Sequence, residues 1–299
     1  MKKFVALSLL SLFFIGGAQA QLLYKISGKG LQKESYIVGT YHLAPASFAH
    51  SIAGAHEALE SVEAVCGELD MSTVIGDASL ALTEAMMLPD GQYITDILTD
   101  EQLVRLNGYM TEVMGMDFNN PMCKKMLGRY RPSALAMNLE VMEFAKITPD
   151  FNPLKLIDNY FQDEARKRDK RVMGLETAED QVKLLYGSSS IDEEVEALMK
   201  VVDNPEAERE SMVKIADAYF AQDIEAISEC VLADICSDAA NAEAWELICV
   251  RRNYNWIAQM PAIMEEQPTL FVVGAAHLIG EEGVISLLQN DGYSVTAVM

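Results

Sequence analysis

The chain has 299 residues, half of them hydrophobic, and a formal net charge of −22 at pH 7. A charge this negative repels phosphates, so the composition argues against nucleic acid and anionic lipid as partners. The length allows one large domain with an ample core, and beyond the N-terminus no run of ~18 apolar residues suggests a membrane span.

The first twenty residues have the composition of a secretory signal peptide. Two lysines precede an apolar run over residues 4–15, and Ala18, Gln19 and Ala20 then supply a small-residue cleavage motif. The apolar run is shorter than the ~20 residues that span a membrane. We therefore expect cleavage after Ala20, periplasmic or secreted localisation, and no integral membrane association of the mature chain.

Strand and helix patterns alternate in the first part of the mature chain. Residues 22–26 and 35–38 flank a segment with two glycines, which predicts a β-hairpin. Apolar residues at helical spacing follow from Ser51, and "EAVCGELD" at 63–70 predicts a strand that ends in acids. Together these patterns predict a strand–helix–strand unit.

A second such unit is predicted at "KRVMGLET", residues 170–177, where Thr177 is placed to cap the next helix. Much of the sequence around it has helical periodicity, as in "TDEQLVRLNGYM" and "DEEVEALMKVV". A helix over 244–260, a strand at 269–274, a helix over 281–290 and a strand at 293–298 complete the chain. We predict a single α/β domain over 21–299. Its central mixed sheet takes strands from both chain ends, and its large helical insertion covers about 77–246.

Five cysteines bear on the redox state of an exported chain. None has Cys-x-x-Cys spacing, which argues against a redox motif or a thiolate zinc site, and the odd count leaves at least one thiol unpaired. Cys66 falls in an apolar strand and is expected to be a free, buried thiol. We predict at least one disulfide among the other four, which are Cys123, Cys230, Cys236 and Cys249.

Two similar segments at opposite ends of the chain carry the strongest functional signal. "YIVGTYHLAP" and "TLFVVGAAHLIG" each have an apolar strand, a glycine, two residues and a histidine, so Gly39 precedes His42 and Gly274 precedes His277. Glycine permits a sharp exit from a sheet or a close backbone approach. The histidines would then lie beyond the carboxyl ends of strands, where ligands bind in open α/β sheets.

Acids at the end of a third strand complete a candidate metal site. Glu68 and Asp70 follow the strand of "CGELD" and face alike, because strand residues two apart share a side. Two histidines and one carboxylate form a recurrent catalytic metal shell. The alternative is structural, since a single histidine is often a hydrogen-bonded core residue and acids after a strand often cap a helix.

Five segments of the chain resemble the GumN/TraB family, which includes the Tiki-type metalloproteases and is similar in fold to erythromycin-esterase and ChaN-like proteins. They are "YIVGTYHLAP", "VCGELD", "VMGLETAEDQ", "VRRNYNW" and "LFVVGAAHLIGEEGVISLLQNDGYSV", and they span the mature chain in order. The resemblance implies a divalent-metal hydrolase centre formed by two Gly-x-x-His motifs and a strand-end glutamate. Carried over to this sequence, the centre comprises Gly39, His42, Glu68, Gly274 and His277.

The same resemblance suggests roles for further residues. The Arg-Asn pair of the family falls on Arg252 and Asn253, and its Gly-Leu-Glu falls on residues 174–176. Arg252 would stabilise a developing oxyanion, although an ion pair on a helix surface is the alternative. Glu176 could accept a hydrogen bond from a ligand histidine or begin its helix, and Tyr41 could narrow the mouth of the site.

These residues predict an exported metal-dependent hydrolase that acts on peptide or amide bonds, with a peptide or small amide or ester as substrate. His42, His277 and Glu68 would hold Mn²⁺, Co²⁺ or Zn²⁺, which lowers the pKa of a bound water. Glu68, Asp70 or Glu176 would serve as general base. The alternatives are an exported protein that binds a metal or haem without turnover, and a protein whose histidines only join strands.

Overall fold

The computed structural model describes residues 21–74, 77–148, 151–187, 189–237 and 239–299, so the predicted signal peptide lies outside the described residues. The strands are β1 Leu23–Ser27, β2 Ser35–Thr40, β3 Ala64–Gly67, β4 Arg171–Gly174, β5 Thr269–Gly274 and β6 Ser294–Ala297. They form one six-stranded sheet in the order β4-β3-β5-β2-β1-β6. Neighbours among β4, β3, β5 and β2 are parallel, while β1 runs antiparallel to both β2 and β6.

This sheet confirms the predicted fold class, a mixed α/β sheet with strands from both chain ends. The N-terminal hairpin is present as β1 and β2, and β5 lies in the middle of the sheet between β3 and β2. The predicted insertion over about 77–246 needs one correction, because β4 lies inside that range and forms the edge of the sheet. The helical additions therefore enter on both sides of β4.

Helices fill most of the remaining chain. They are α1 Ala55–Ser61, α2 Asp77–Ala85, α3 Ile94–Ile97, α4 Asp100–Met114, α5 Pro121–Leu127, α6 Pro132–Ile147, α7 Ile157–Lys167, α8 Ala178–Tyr186, α9 Ile191–Asp203, α10 Pro205–Phe220, α11 Ile224–Ile235, α12 Ala239–Trp245, α13 Arg251–Ile257, α14 Met260–Glu266 and α15 Val284–Asn290. Among the described residues, no helix is both long and apolar enough to cross a membrane.

The two faces of the sheet bury different helices. Side chains alternate along a strand, so Val272 and Phe271 of β5 point to opposite faces. Val272 belongs to a core that includes Phe161 of α7, and Phe271 belongs to a core that includes Trp256 of α13. Because both faces are covered, the central strands read as continuous apolar runs in the sequence.

The helical insertion has a hydrophobic core of its own. Leu106 of α4, Leu135 of α6 and Leu198 of α9 are fully buried together. Helices α4, α8 and α9 each begin with a capping box, and Thr177 caps α8 as the sequence predicts. The insertion is therefore a packed bundle beside the sheet.

A π-helical turn interrupts the helix that the sequence predicts over 244–260. Residues Glu246–Val250 form this turn between α12 and α13. A π-turn widens the helix by one residue and changes the direction of the side chains that follow. In this chain it comes directly before Arg252 and Asn253.

The disulfide prediction is wrong for this structure. All five cysteines are free, including Cys66, for which a free thiol was expected. Cys230 lies within α11 and Cys236 follows its last residue. Six residues along an α-helix correspond to a rotation of about 600°, so these two side chains leave the helix in different directions. Cys123 and Cys249 are buried in separate elements.

Candidate active site

The two Gly-x-x-His segments leave the sheet side by side. Strands β2 and β5 are parallel neighbours, with Thr40 paired to Gly274 at their carboxyl ends. A β-carbon added at Gly39 would lie 2.9 Å from Leu278 Cδ1 and 3.0 Å from Ala275 Cα, so this glycine permits a close approach of the two segments. The two histidines therefore follow adjacent strands, beyond their carboxyl ends as the sequence predicts.

His42 is held by a carboxylate from the insertion. Its Nδ1 lies 3.2 Å from Asp158 Oδ2, and Thr40 donates a hydrogen bond of 2.6 Å to the other oxygen of Asp158. The side chain is 69% exposed because it stands between two cavities, so solvent screens part of the field of Asp158. The charge of Asp158 and its hydrogen bond raise the pKa of His42 to about 9. His42 is therefore protonated at neutral pH.

His277 has the opposite character. Asn253 donates from its Nδ2 to the carbonyl of Glu282 at 2.8 Å, which turns its Oδ1 toward His277 Nδ1 at 2.7 Å. Nδ1 therefore carries the proton, and the lone pair of Nε2 faces the crevice. The ring is buried against Trp256, with 4.3 Å between ring centroids. Burial lowers the pKa of His277 to about 4, against the opposing charge of Glu68, so His277 is neutral at neutral pH.

Glu68 extends from the end of β3 toward both histidine segments. Its Oε1 accepts a 2.8 Å hydrogen bond from the backbone N–H of Gly274 and lies 3.9 Å from His277 Nε2. Its Oε2 accepts from Arg252 Nη2 at 2.5 Å. Burial alone would raise the pKa of Glu68. The charge of His277, whose ring is protonated at acid pH, lowers it to about 2, together with the charges of Arg252 and His42 and the Gly274 N–H. Glu68 is therefore a stable carboxylate.

Arg252 joins the acids and the buried histidine. Its Nε donates to Glu176 Oε1 (2.9 Å), its Nη1 to Ile248 O (3.0 Å) and His277 Nε2 (3.1 Å), and its Nη2 to Glu68 Oε2 (2.5 Å) and Glu176 Oε2 (3.0 Å). A guanidinium has five N–H groups, so this set engages all of them. The predicted oxyanion role would require Arg252 to exchange one of these partners for the substrate.

Two cavities meet at His42. We call the first the His crevice; it has a volume of about 370 Å³, and its walls include His42, Arg252, Gly274 and His277. The second, of about 340 Å³, is lined by His42, Glu68 and Asp158. The imidazole of His42 is therefore accessible from both cavities. Of these two cavities, His277 and Arg252 line only the His crevice.

The remaining predicted residues divide into two groups. Asn253 and Glu176 act behind the crevice, Asn253 by orienting His277 and Glu176 by holding Arg252. Tyr41 lies on the wall of the His crevice, and a role in narrowing its mouth stays a prediction. Asp70 is not brought to the site: it caps the turn at Met71–Thr73 and accepts from Arg166 at 2.6 Å.

Sequence reasoning missed two residues of the site. Asp158 lies in the first turn of α7, where an acid is favoured by the helix dipole, so nothing in the sequence indicates its contact with His42. Trp256 donates a 2.8 Å hydrogen bond to Glu176 and stacks under the guanidinium of Arg252 at 4.8 Å. The sequence could have indicated Trp256, because a residue four positions after Arg252 lies on the same face of the helix.

The three predicted metal ligands have suitable donor atoms but not the arrangement of a metal shell. The described residues contain no group of three or more His, Cys, Asp or Glu side chains positioned to hold a metal ion. Arg252 donates to both Glu68 and His277, so a guanidinium cation takes the position between two of the proposed ligands. His42 is paired with Asp158 and protonated. In this arrangement, His42, Glu68 and His277 do not form a three-ligand metal site.

The fold and the site define a class of α/β protein in which paired Gly-x-x-His segments and a strand-end glutamate surround a buried arginine. The model of the TraB/PrgY/gumN family matches residues 22–297, nearly the whole chain, and the chain belongs to this family. No curated protein and no solved structure matched in the same comparisons.

Proposed function

We propose that this protein is an exported hydrolase of peptide or amide bonds with its reaction centre in the His crevice. The observation that carries the proposal is the convergence of His42, His277 and Arg252 on one cavity. His42 Nε2 makes no hydrogen bond to any described residue, so this atom is available to a substrate. The two histidines differ in protonation, which is typical of sites that need both an acid and a base.

The residues support distinct roles in hydrolysis. His42, protonated beside Asp158, can give the Nε2 proton to the leaving amine, which an amide must gain before it departs. Glu68 presents carboxylate oxygens that can orient an attacking water, and His277 Nε2 can do so only when Arg252 releases it. Arg252 positions these acceptors and supplies positive charge near the developing oxyanion.

Dependence on a divalent ion is a separate part of the proposal. An ion bound between Glu68 and His277 would require Arg252 to release His277 Nε2, and ligation by His42 would require this ring to lose its proton. Ion binding should therefore strengthen as the pH rises. Equilibrium dialysis with Mn²⁺, Co²⁺ or Zn²⁺ tests this part, and the ion retained by the native protein should be lost in Glu68→Gln. Equal retention by both proteins would overturn it.

A panel of fluorogenic peptides, amides and esters tests the hydrolase itself, with and without added metal and chelator. We expect His42→Ala to abolish hydrolysis with little loss of stability. His56→Ala is the matched control. His56 is 51% exposed, and within the described residues its ion pair is with Glu60 alone. Failure of the folded native protein to cleave any member would contradict the proposal. A Soret band on addition of haem would then support the alternative of a binding protein.

Export is tested on the protein isolated from its producing cell. Intact-mass measurement should show the loss of residues 1–20 and a mature chain that begins at Gln21, in the periplasm or the medium. Recovery of the uncleaved chain in the cytoplasm would contradict the export part of the proposal and leave the hydrolase part to its own test.

A further inference from the structure

A third cavity lies inside the helical insertion. We call it the insertion cavity; its volume is about 490 Å³, and α4, α6, α9 and α10 form most of its wall. The wall is largely apolar, with Met137 and Met212 among its members, but it also contains Glu140, Glu143 and Glu208. An apolar cavity with few polar groups is typical of small-molecule sites, in which the polar groups fix the orientation of the ligand.

Glu143 is the most constrained of these glutamates. Its side chain is 4% exposed, and Oε1 accepts a 2.5 Å hydrogen bond from Arg209 Nε. Its Oε2 is buried and has no hydrogen bond to any described residue. The ammonium of Lys146 is 3.6 Å away and donates instead to the carbonyl of Glu112 at 3.0 Å. Burying a charged acceptor without a donor is costly, so Oε2 is an acceptor that a ligand can satisfy.

The other two glutamates leave the cavity short of positive charge. Neither Glu140 nor Glu208 makes a side-chain hydrogen bond or ion pair with a described residue. Burial and the charge of Glu208 raise the pKa of Glu140, because a second carboxylate nearby disfavours ionisation. Arg209, the cation on the cavity wall, already binds both Glu143 and Glu112. A ligand with a positive charge would relieve this imbalance.

The insertion cavity adjoins the His crevice. Tyr41 and Ile215 line both cavities, and Tyr41 is the residue directly before His42. The Tyr41 ring is packed between Phe144 and Tyr219, with ring centroids 6.0 and 5.5 Å away. The two cavities therefore share Tyr41 as a wall, and a substrate whose reacting bond lies at His42 would reach the insertion cavity by displacing this ring.

We propose that the insertion cavity binds an ammonium or guanidinium group carried on an apolar chain, such as the side chain of a lysine or arginine residue in a peptide. This assignment of substrate class rests on the proposed hydrolase function of the His crevice. The binding of an organic cation to the insertion cavity does not depend on that function. An organic cation fits better than a metal ion, because the described residues offer no three-ligand metal group and the walls are mostly apolar. The aromatic face of Tyr109, also on the wall, suits a cation as well.

Calorimetric titration with N-acetylarginine methylamide tests the site, and N-acetylcitrulline methylamide is the uncharged probe of nearly the same shape. The arginine probe should bind the native protein at least about tenfold more tightly, since a charge-assisted hydrogen bond is lost with citrulline. Glu140→Gln should reduce that preference with the fold intact, because its carboxylate has no partner to lose among the described residues. Glu143→Gln should reduce it further. Glu196→Gln, at an exposed position of α9 outside the cavity, is the matched control.

The outcomes separate this inference from the proposed function. His42→Ala should bind the arginine probe as the native protein does, since His42 does not line the insertion cavity. Equal affinity for the two probes, or unchanged binding in both Glu140→Gln and Glu143→Gln, would overturn the inference. Hydrolysis of peptides without preference for basic residues would overturn the substrate assignment but would still support the proposed hydrolase function. Selective binding of the arginine probe without hydrolysis of any peptide would support the binding site but contradict its role in substrate recognition.

Discussion

Arg252 shows how much of this site depends on one buried cation. Its side chain is 12% exposed and neutralises two carboxylates that are equally buried, Glu68 and Glu176. Arg252→Ala would leave both acids without their partner, and we expect the free energy of unfolding to fall by about 3–5 kcal/mol. Arg251→Ala is the matched control, because the neighbouring side chain is 66% exposed and should contribute less than about 0.5 kcal/mol. Urea unfolding measures both, and similar values would contradict this account of Arg252.

The protonation of His42 is a second property set by a single contact. Asp158 raises the pKa of this ring, so the imidazolium should persist above neutral pH in the native protein. In Asp158→Asn the amide cannot supply the charge, and the pKa should return toward its ordinary value of about 6.5. An NMR titration of the His42 ring protons measures the shift. Identical titration curves for the two proteins would show that another group governs His42.

At this scale the sequence predicted the positions that repeat a pattern and missed those that depend on the folded chain. His42 and His277 were found because the same strand, glycine and spacing precede both. Asp158 was not found, since an acid in a first helical turn is common and its histidine partner is distant in sequence. The saturation of Arg252 by five acceptors was equally hidden, because four different segments supply them.

Helix α8 depends on its cap. Thr177 accepts a hydrogen bond from the backbone N–H of Asp180, and Asp180 accepts one from the backbone N–H of Thr177 in return. The helix carries Leu184 and Leu185, which line the His crevice. Thr177→Ala should lower the free energy of unfolding by about 1 kcal/mol, whereas Thr177→Ser should preserve it within a few tenths. Equal losses in chemical denaturation would show that the hydroxyl does not act as a cap.

Most elements could be predicted because their patterns are local, and the exceptions have physical causes. The strands that are buried on both faces stood out as apolar runs, and capping residues marked several helix starts. The π-turn at Glu246–Val250 could not be predicted, since it changes neither composition nor hydrophobic periodicity by more than one residue. Strand β4 was predicted from its own segment, but its place at the edge of the sheet was not, because strand order depends on contacts between residues distant in sequence.

The part of the molecule's stability that depends on its two site histidines should be greatest near pH 6.5. Burial lowers the pKa of His277 to about 4, so the stability linked to this ring is present above 6.5 and is lost as the pH falls through about 4. The contact with Asp158 raises the pKa of His42 to about 9, so its contribution is present below 6.5 and is lost as the pH rises through about 9. Glu68, with a pKa lowered to about 2, adds to the loss at acid pH.

Urea unfolding at about pH 5, 6.5 and 9 measures this profile. In Asp158→Asn, the free energy of unfolding should fall less between pH 6.5 and 9, with the acid side of the profile unchanged. The reason is that the substitution removes the charge that raises the pKa of His42. His277→Asn should make the acid side shallower, because it removes the ring that resists protonation. A native profile that rises steadily from pH 5 to 9 would contradict the assignment of opposite protonation to the two histidines.

The central position of β5 has a consequence for the order of assembly. Residues Thr269–Gly274 lie between β2 and β3, which are made far earlier during synthesis. Until β5 arrives, those two strands have no partner on their facing edges, and free edges favour association with other chains. A chain shortened to end at residue 267 should keep helical circular dichroism but aggregate and lose cooperative unfolding. The segment that carries His277 follows β5 directly, so a growing chain cannot present a finished crevice before the gap between β2 and β3 is closed.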